Sequence, residues 1–156
     1  MNRKVAIKRL TASDLTLFEW HFRNRNAGNQ KAINLNADVF TGILYPALPE
    51  VAKARDGRLP IDLYLYGPGL ASEINLQRKI VKHGTYKNWR LDGEFIFNPG
   101  DDPLRFNLLE PDDFVIFEFI GETYPEVLKA VFIANSIPTD QSIHNACNKA
   151  IGDNRL

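Results

Sequence analysis

The chain has 156 residues and one cysteine, and its 19 Lys and Arg balance its 19 Asp and Glu to a net charge of zero. This length suits one domain that buries about two thirds of the surface of its unfolded chain. The single Cys147 excludes an internal disulfide, and the first residues contain no apolar run of the kind found in signal peptides or membrane spans. We therefore expect a cytoplasmic protein that does not enter a membrane.

The first third of the chain predicts two strands and a short helix. Residues 5–10 are β-branched at their start and run into turn-forming residues, which indicates a strand. Residues 15–21 fit either a strand or an extended loop, and residues 31–35 return to a strand pattern. The apolar residues that follow fall at helical spacing, and Pro46 and Pro49 are expected to end this helix.

Two further strands follow in the middle of the chain. Residues 59–66 alternate apolar and polar side chains from Ile61 and stop at Gly67, which makes them the clearest strand of this part. Residues 74–81 alternate again and lead into a basic stretch. Gly84 is expected at the tip or in a bulge of the resulting ribbon.

The last third combines an irregular connection with two strands and a helix. Residues 92–113 are rich in Gly, Pro and acids, whereas residues 114–120 are almost continuously apolar, as in a core strand. Residues 127–134 predict the last strand, and residues 139–142 cap a closing helix. The sequence therefore predicts one mainly β (α+β) domain over residues 1–156 with about six or seven short strands, which favour a small open or closed barrel with helices at its mouths. Of these, we expect a seven-stranded open β-barrel with two short helices at its ends.

Two polar segments combine cations with amide or aromatic side chains. Residues 23–30 carry two Arg, three Asn and one Gln, and residues 78–90 carry five cations with a His, a Tyr, an Asn and a Trp. Cations reach phosphates, Arg, Asn and Gln form paired hydrogen bonds with base edges, and aromatic rings stack on bases. The composition favours a nucleic-acid groove, and a solvated loop and a solvated hairpin are the alternatives.

The zero net charge conceals an uneven distribution along the chain. Residues 1–91 hold 15 Lys and Arg against 7 Asp and Glu, a surplus of 8 positive charges. Residues 92–156 hold 4 against 12, a surplus of 8 negative charges. Because the local field attracts phosphates, whatever the total charge, the asymmetry indicates a polyanion-binding side.

No set of residues predicts catalysis in this chain. Asp112 followed by Glu118 is similar to the acidic pair that holds magnesium in many restriction-type nucleases, but that pattern needs a Lys where this chain has Ile120. His144 and Cys147 have the spacing of two metal ligands on a helix, yet two further ligands have no obvious source. We expect a partly buried Cys and a surface His, and no catalytic, metal or cofactor site.

Three blocks of sequence together resemble the DNA-binding pseudobarrel of the plant B-three type, in its bacterial form. They are I-K-R-L-T-A-S-D at residues 7–14, G-N-Q-K-A-I-N-L at residues 28–35, and S-I-P-T-D at residues 136–140 with the helix after it. This form is the effector domain of EcoRII-like restriction endonucleases. The resemblance spans nearly the whole chain at low identity and rests on the order and spacing of the blocks.

The resemblance implies sequence-specific binding of double-stranded DNA in the major groove by two arms. The N-arm falls on residues 23–31 and the C-arm on residues 78–90. The resemblance also implies an effector or target-recognition domain that is excised from a longer type II restriction endonuclease of a restriction-modification system. A linked nuclease domain would then hold magnesium and the cutting residues. No dimerising helix pattern is present, so we expect a monomer. The alternative is a protein-interaction or small-ligand-binding β-barrel without DNA function.

The candidate DNA-binding residues divide into three groups. Those expected to read bases are Arg23, Arg25, Asn29, Gln30, Arg78, Lys87, Asn88 and Arg90. Those expected to neutralise phosphates are Lys8, Arg9, Lys31, Lys79 and Lys82. Asn26, His83, Tyr86 and Trp89 complete the set.

Overall fold

A computed structural model describes residues 3–26, 28–53, 55–82, 87–92 and 94–151. In this part of the chain seven strands form one sheet in the order β1-β6-β7-β3-β4-β5-β2, where β3 and β7 pair in parallel and the other pairings are antiparallel. The strands are β1 (Arg3–Arg9), β2 (Ile33–Leu35), β3 (Arg58–Tyr66), β4 (Ile74–Val81), β5 (Trp89–Asp92), β6 (Phe114–Ile120) and β7 (Val127–Ile133).

The sheet is curled, so that its two edge strands approach each other. Lys8 of β1 donates from Nζ to the carbonyl oxygen of Asn34 in β2 at 2.6 Å, although these strands stand at opposite ends of the sheet order. Alternate residues of each strand point into the curl, as Leu59 and Ile61 of β3 do at 0 and 2% exposure. The prediction of a mainly β chain with a seven-stranded open sheet is confirmed at this level.

Four α-helices and several short helical turns accompany the strands in the described part of the chain. The α-helices are α1 (Glu19–Asn24), α2 (Ala37–Val39, continued by a π-helical turn over Phe40–Leu44), α3 (Leu48–Lys53) and α4 (Gln141–Ile151). Two of them, α1 and α3, come in addition to the two short helices that the sequence predicts.

Two local predictions are wrong. Residues 15–21 form no strand, since a 3-10 turn at Asp14–Leu17 runs into α1. Leu15, Thr16 and Leu17 are all buried, so the alternation of apolar and polar residues there has no exposed face. Pro49 does not end a helix either. It lies in the first turn of α3, where a missing N–H group leaves no hydrogen bond unmade.

Aromatic rings fill the inside of the curl, and α4 covers part of its outside. The ring of Trp89 packs edge-on against Phe40 at 5.9 Å, and Phe40 packs against Phe119 at 5.4 Å. On the outer face, Cys147 of α4 clusters with Phe114 and is 3% exposed, and this burial raises the pKa of its thiol. Among the described residues, no helix has the length and apolar character needed to cross a membrane.

A buried ion pair joins the edges of the sheet. Asp14 Oδ2 lies 3.2 Å from Lys8 Nζ and accepts the backbone N–H of Thr11 at 3.0 Å, while Asp14 Oδ1 accepts the backbone N–H of Asn34 at 3.0 Å. Both ionic side chains are almost fully buried, at 4% and 1% exposure. One carboxylate thus holds β2 beside β1 and fixes where the N-arm enters the sheet.

Candidate nucleic-acid interface

The two arms meet where β5 pairs with β2. In the sheet, the C-arm runs from the end of β4 into the start of β5, and β5 pairs with β2, the strand that follows the N-arm. Arg90 of β5 is half-buried and lies opposite Val81 of β4 and opposite Asn34 of β2. The fold therefore brings two segments that are distant in sequence to one region of the sheet.

Phe95 contacts both arms. From the N-arm, Lys31 Nζ lies 5.4 Å from the centre of the Phe95 ring and 4.8 Å from that of Phe22, and the two rings pack at 5.1 Å. From the C-arm, Arg78 donates from Nη2 to the carbonyl oxygen of Phe95 at 3.3 Å. Phe95 thus connects the end of the N-arm with the start of the C-arm and restrains their separation.

The two arginines of the N-arm are held by carboxylates. Arg23 Nε lies 2.6 Å from Glu19 Oε1 one turn earlier on α1. Arg25 Nη2 lies 2.8 Å from Glu110 Oε2, a residue from the acidic second part of the chain, and its guanidinium lies 5.6 Å from the Trp20 ring. Both arginines reach the surface, but neither is a freely moving cation.

The remaining N-arm residues differ in their availability. Asn26 and Asn29 are exposed and make no side-chain hydrogen bond within the described part of the chain. Gln30 donates from Nε2 to the carbonyl oxygen of Ala32 at 2.6 Å, which leaves its amide oxygen to accept. Lys31 is exposed and adopts a left-handed backbone conformation, with φ at 52°. The two asparagines are the side chains best placed to read a base edge.

The first part of the C-arm borders a cavity of about 480 Å³, which is lined by Pro60, Gln77, Arg78, Lys79 and Glu94. Arg78 is half-buried and fixed, since Nη1 donates to the Gln77 carbonyl oxygen at 2.8 Å and Nη2 binds Phe95. Lys79 is exposed and forms no ion pair with any described residue. A free cation and a fixed cation therefore border the same cavity.

The far end of the C-arm carries a second basic group. Lys82 lines a cavity of about 430 Å³ together with Lys53, Asp56 and Trp89, which places Lys53 of α3 in the same basic region. Lys87 is exposed and lies 3.1 Å from Asp38. Asn88 Oδ1 accepts the backbone N–H of Ala37 at 2.8 Å, so this side chain supports the start of α2. His83 and Tyr86 lie outside the described residues.

Three predicted contact residues are buried and leave the candidate interface. Lys8 is 3% exposed and directed into the ion pair with Asp14, and Arg9 is 9% exposed with its guanidinium 4.8 Å from the Phe114 ring. Trp89 is 1% exposed in the core. A phosphate or a base cannot reach these side chains without opening the fold, so the predictions for all three are corrected.

The acid on the outer face of β3 limits the extent of the basic surface. Asp62 accepts hydrogen bonds from Asn75 and Gln77, both at 2.7 Å, and from Tyr64 at 3.1 Å. The hydrogen bond from Asn75, supported by those from Gln77 and Tyr64, lowers the pKa of this carboxyl group. The negative charge of Asp62 therefore lies next to Gln77, just before the start of the C-arm.

Beneath the N-arm lies a buried histidine. His21 is 0% exposed and donates from Nε2 to the carbonyl oxygen of Phe106 at 2.8 Å, while Nδ1 has no partner among the described residues. Burial lowers the pKa of His21, and the nearby Arg25 lowers it further against the opposing effects of the Phe106 carbonyl and Glu110. His21 is therefore a neutral ring that supports α1.

The residues that resemble catalytic or metal-binding sets serve the fold. Asp113 Oδ1 accepts from His144 Nε2 at 3.0 Å, and His144 is 7% exposed, which corrects the expectation of a surface His. Glu118 lies on the outer face of β6, 3.9 Å from Arg3. Within the described ranges no group of three or more His, Cys, Asp or Glu side chains could hold a metal ion.

Sequence reasoning did not identify Phe22, Phe95 and Glu110 as parts of this region. Phe22 and Phe95 look like ordinary core residues in the sequence, and Glu110 belongs to an acidic stretch that composition assigns to the other side of the molecule. The pattern of apolar and polar residues around these positions does not reveal their role, because Phe95 contacts Lys31 and Glu110 contacts Arg25 across segments that are far apart in the chain.

Comparison with models of protein families, with curated proteins and with solved structures finds no match to this chain.

Proposed function

We propose that this protein recognises a specific sequence in double-stranded DNA with its N-arm and C-arm in the major groove. In this proposal it is the effector or target-recognition domain of a type II restriction endonuclease, and the DNA pseudobarrel is its fold family. Arg23, Arg25, Asn26 and Asn29 on one arm and Lys79 on the other are exposed or half-buried side chains of the kinds that contact bases and phosphates.

The observation that carries the proposal is the contact of Phe95 with both arms. A groove binder needs its contact segments at a fixed separation, because the major groove is about 12 Å wide and presents base edges in a fixed order. Phe95 restrains Lys31 through its ring and Arg78 through its carbonyl oxygen. Two basic segments joined in this way support a two-sided grip better than they support two independent solvated loops.

Lys79→Ala tests the proposal on an exposed cation of the C-arm that forms no ion pair with any described residue. Target duplexes are first selected from a randomised pool, and affinity is then measured by fluorescence anisotropy over a range of salt concentrations. If Lys79 neutralises one phosphate, its loss weakens target and random duplex alike and reduces the slope of log K against log salt by about 0.9.

Lys149→Ala is the matched control for this experiment. Lys149 is an exposed lysine on α4, which packs on the outer face of the sheet against β1 and β7. The Lys149→Ala variant should bind both duplexes with the affinity of the parent protein. Failure to select any preferred duplex, or binding whose strength does not depend on salt, would contradict the proposed function.

A protein contact is the second candidate function, favoured by exposed apolar side chains on and beside the connection at residues 92–113. Leu70 is 91% exposed, Phe97 and Leu104 are each 62% exposed, and Leu108 is 43% exposed. Leu70 lines a cavity of about 320 Å³ with Asp101, next to the connection that carries the other three. In the framework of the DNA proposal, this surface would suit a linked domain. If the protein self-associates independently of salt and Phe97→Ser removes this association, the protein contact would be favoured over DNA binding.

A further inference from the structure

Three cations of the two arms are paired with carboxylates in the free protein. The pairs are Arg23 with Glu19, Arg25 with Glu110 and Lys87 with Asp38. Their N–O distances are 2.6, 2.8 and 3.1 Å in the same order. Each of these cations belongs to the group that the sequence expects to read bases. A carboxylate therefore stands beside three of the cations that would meet the DNA.

We propose that these carboxylates direct the arm cations toward base edges and away from phosphates, and thereby weaken binding to random DNA. The inference rests on the proposed function and concerns its specificity. A phosphate carries a negative charge, so a carboxylate next to the same cation repels it. A base edge presents neutral acceptors such as guanine O6 and N7, whose partial charges the carboxylate repels less than it repels the full charge of a phosphate.

Arginine is suited to this arrangement because its guanidinium has five N–H donors. It can keep one hydrogen bond to its carboxylate and still donate two to a guanine. Binding to random DNA depends almost entirely on phosphates and counterion release, whereas specific binding adds contacts with bases. The carboxylates therefore weaken binding to random DNA more than binding to the target, which raises the ratio of target affinity to random affinity.

The pair of Arg25 with Glu110 is the most restrained of the three. The backbone N–H of Glu110 donates to Asp113 Oδ2 at 2.8 Å, so Glu110 is positioned independently of the arm. The Arg25 side chain is only 28% exposed and lies 5.6 Å from the Trp20 ring. Since the Arg25 side chain and the Glu110 backbone are each held by other contacts, the pair exists before DNA arrives.

Glu110→Gln tests the proposal, because it removes the charge and keeps the size of the side chain. Affinity for the selected target and for a random-sequence duplex is measured by fluorescence anisotropy at several salt concentrations. The variant should bind the random duplex about two- to fivefold more tightly, with a steeper dependence on salt, while its affinity for the target rises less or falls. Asp38→Asn should act in the same direction at the C-arm.

Glu118→Gln is the control for net charge, since Glu118 pairs with Arg3 on the outer face of the sheet away from the arms. It should leave both affinities unchanged, and the urea midpoint of each variant shows that it is folded. An equal rise on both duplexes, no rise on random DNA, or the same rise in Glu118→Gln overturns the inference while the proposed function stands. If the parent protein selects no target, the proposed function fails, and the inference fails with it.

Discussion

At the scale of single residues, the most consequential side chain is Asp14. It is the ionic partner of the buried Lys8 and accepts two backbone N–H groups, one of them from β2. Removing one member of a buried pair leaves the other charge without compensation. Asp14→Asn should therefore lower the free energy of unfolding by about 3–5 kcal/mol, measured by urea denaturation at neutral pH. Glu118→Gln, which breaks an exposed pair, should cost about 0–1 kcal/mol. Similar losses of unfolding free energy in both variants would contradict the stabilising role of the buried Lys8–Asp14 pair.

His21 should make stability depend on pH. Its pKa is lowered by burial, so the folded protein keeps the ring neutral at pH values where the unfolded chain protonates it. The contribution of the neutral ring is complete above the ordinary pKa of about 6.5 and is lost as the pH falls toward the folded value, by at most about 1.4 kcal/mol per pH unit.

The comparison for this prediction is His21→Gln, whose amide can still donate to the Phe106 carbonyl oxygen. The free energy of unfolding is measured for both proteins from about pH 7.5 to about pH 5. Other titrating groups are common to both, so the parent should lose more stability on acidification than the variant. Parallel pH profiles would show that burial of His21 does not affect its protonation.

At the scale of elements, the tight turn before β3 determines how α3 meets the C-arm. Gly57 has φ at 72°, and a Cβ there would lie 2.8 Å from the carbonyl oxygen of Lys82. Gly57→Ala should therefore destabilise the fold by about 1–3 kcal/mol in urea denaturation. At Gly100 a Cβ meets nothing within 4 Å, so Gly100→Ala should be nearly neutral. A neutral Gly57→Ala would mean that the turn relaxes freely.

The strands were predictable wherever one face of the strand is buried. Residues 59–66 and 114–120 match β3 and β6 closely, because alternation or a continuous apolar run records the burial directly. Residues 15–21 were not predictable, since the turn at Asp14–Leu17 is buried on all sides and its shape depends on hydrogen bonds to Asp14. Local periodicity cannot report such tertiary contacts.

The interface was predictable in its location more than in its members. Composition indicates two basic segments, and the pairing of β5 with β2 brings them together. It cannot show that Lys8 is neutralised by Asp14, or that Trp89 faces the core, because burial is decided by residues elsewhere in the chain. The pairing of Arg25 with Glu110 crosses the boundary between the basic and acidic parts of the sequence. Segment composition therefore overstates the free positive charge.

At the scale of the whole molecule, we predict that this 156-residue chain does not nick supercoiled plasmid with magnesium. Asp112 lies in an exposed turn, and Glu118 lies farther along β6 on its outer face. At the rise of an extended strand the two carboxylates are roughly 15 Å or more apart. Ligand oxygens stand within about 2.6 Å of a magnesium or calcium ion, so one ion cannot bind both. Nicking by the purified chain that Asp112→Ala abolishes would refute this division between recognition and cutting.

The contacts between the edge strands β1 and β2 also affect the tendency of the protein to aggregate. An open sheet ordinarily leaves two rows of backbone groups that can pair with strands of other chains. Here Lys8 of β1 reaches to the carbonyl oxygen of Asn34 in β2, and Lys4 of β1 reaches to that of Leu44 in the turn after α2, so contacts within the same chain cover part of these edges. Lysines that stabilise the fold therefore also oppose edge-to-edge aggregation, and a mutation that separates β1 from β2 would expose edge strands that can pair with other chains.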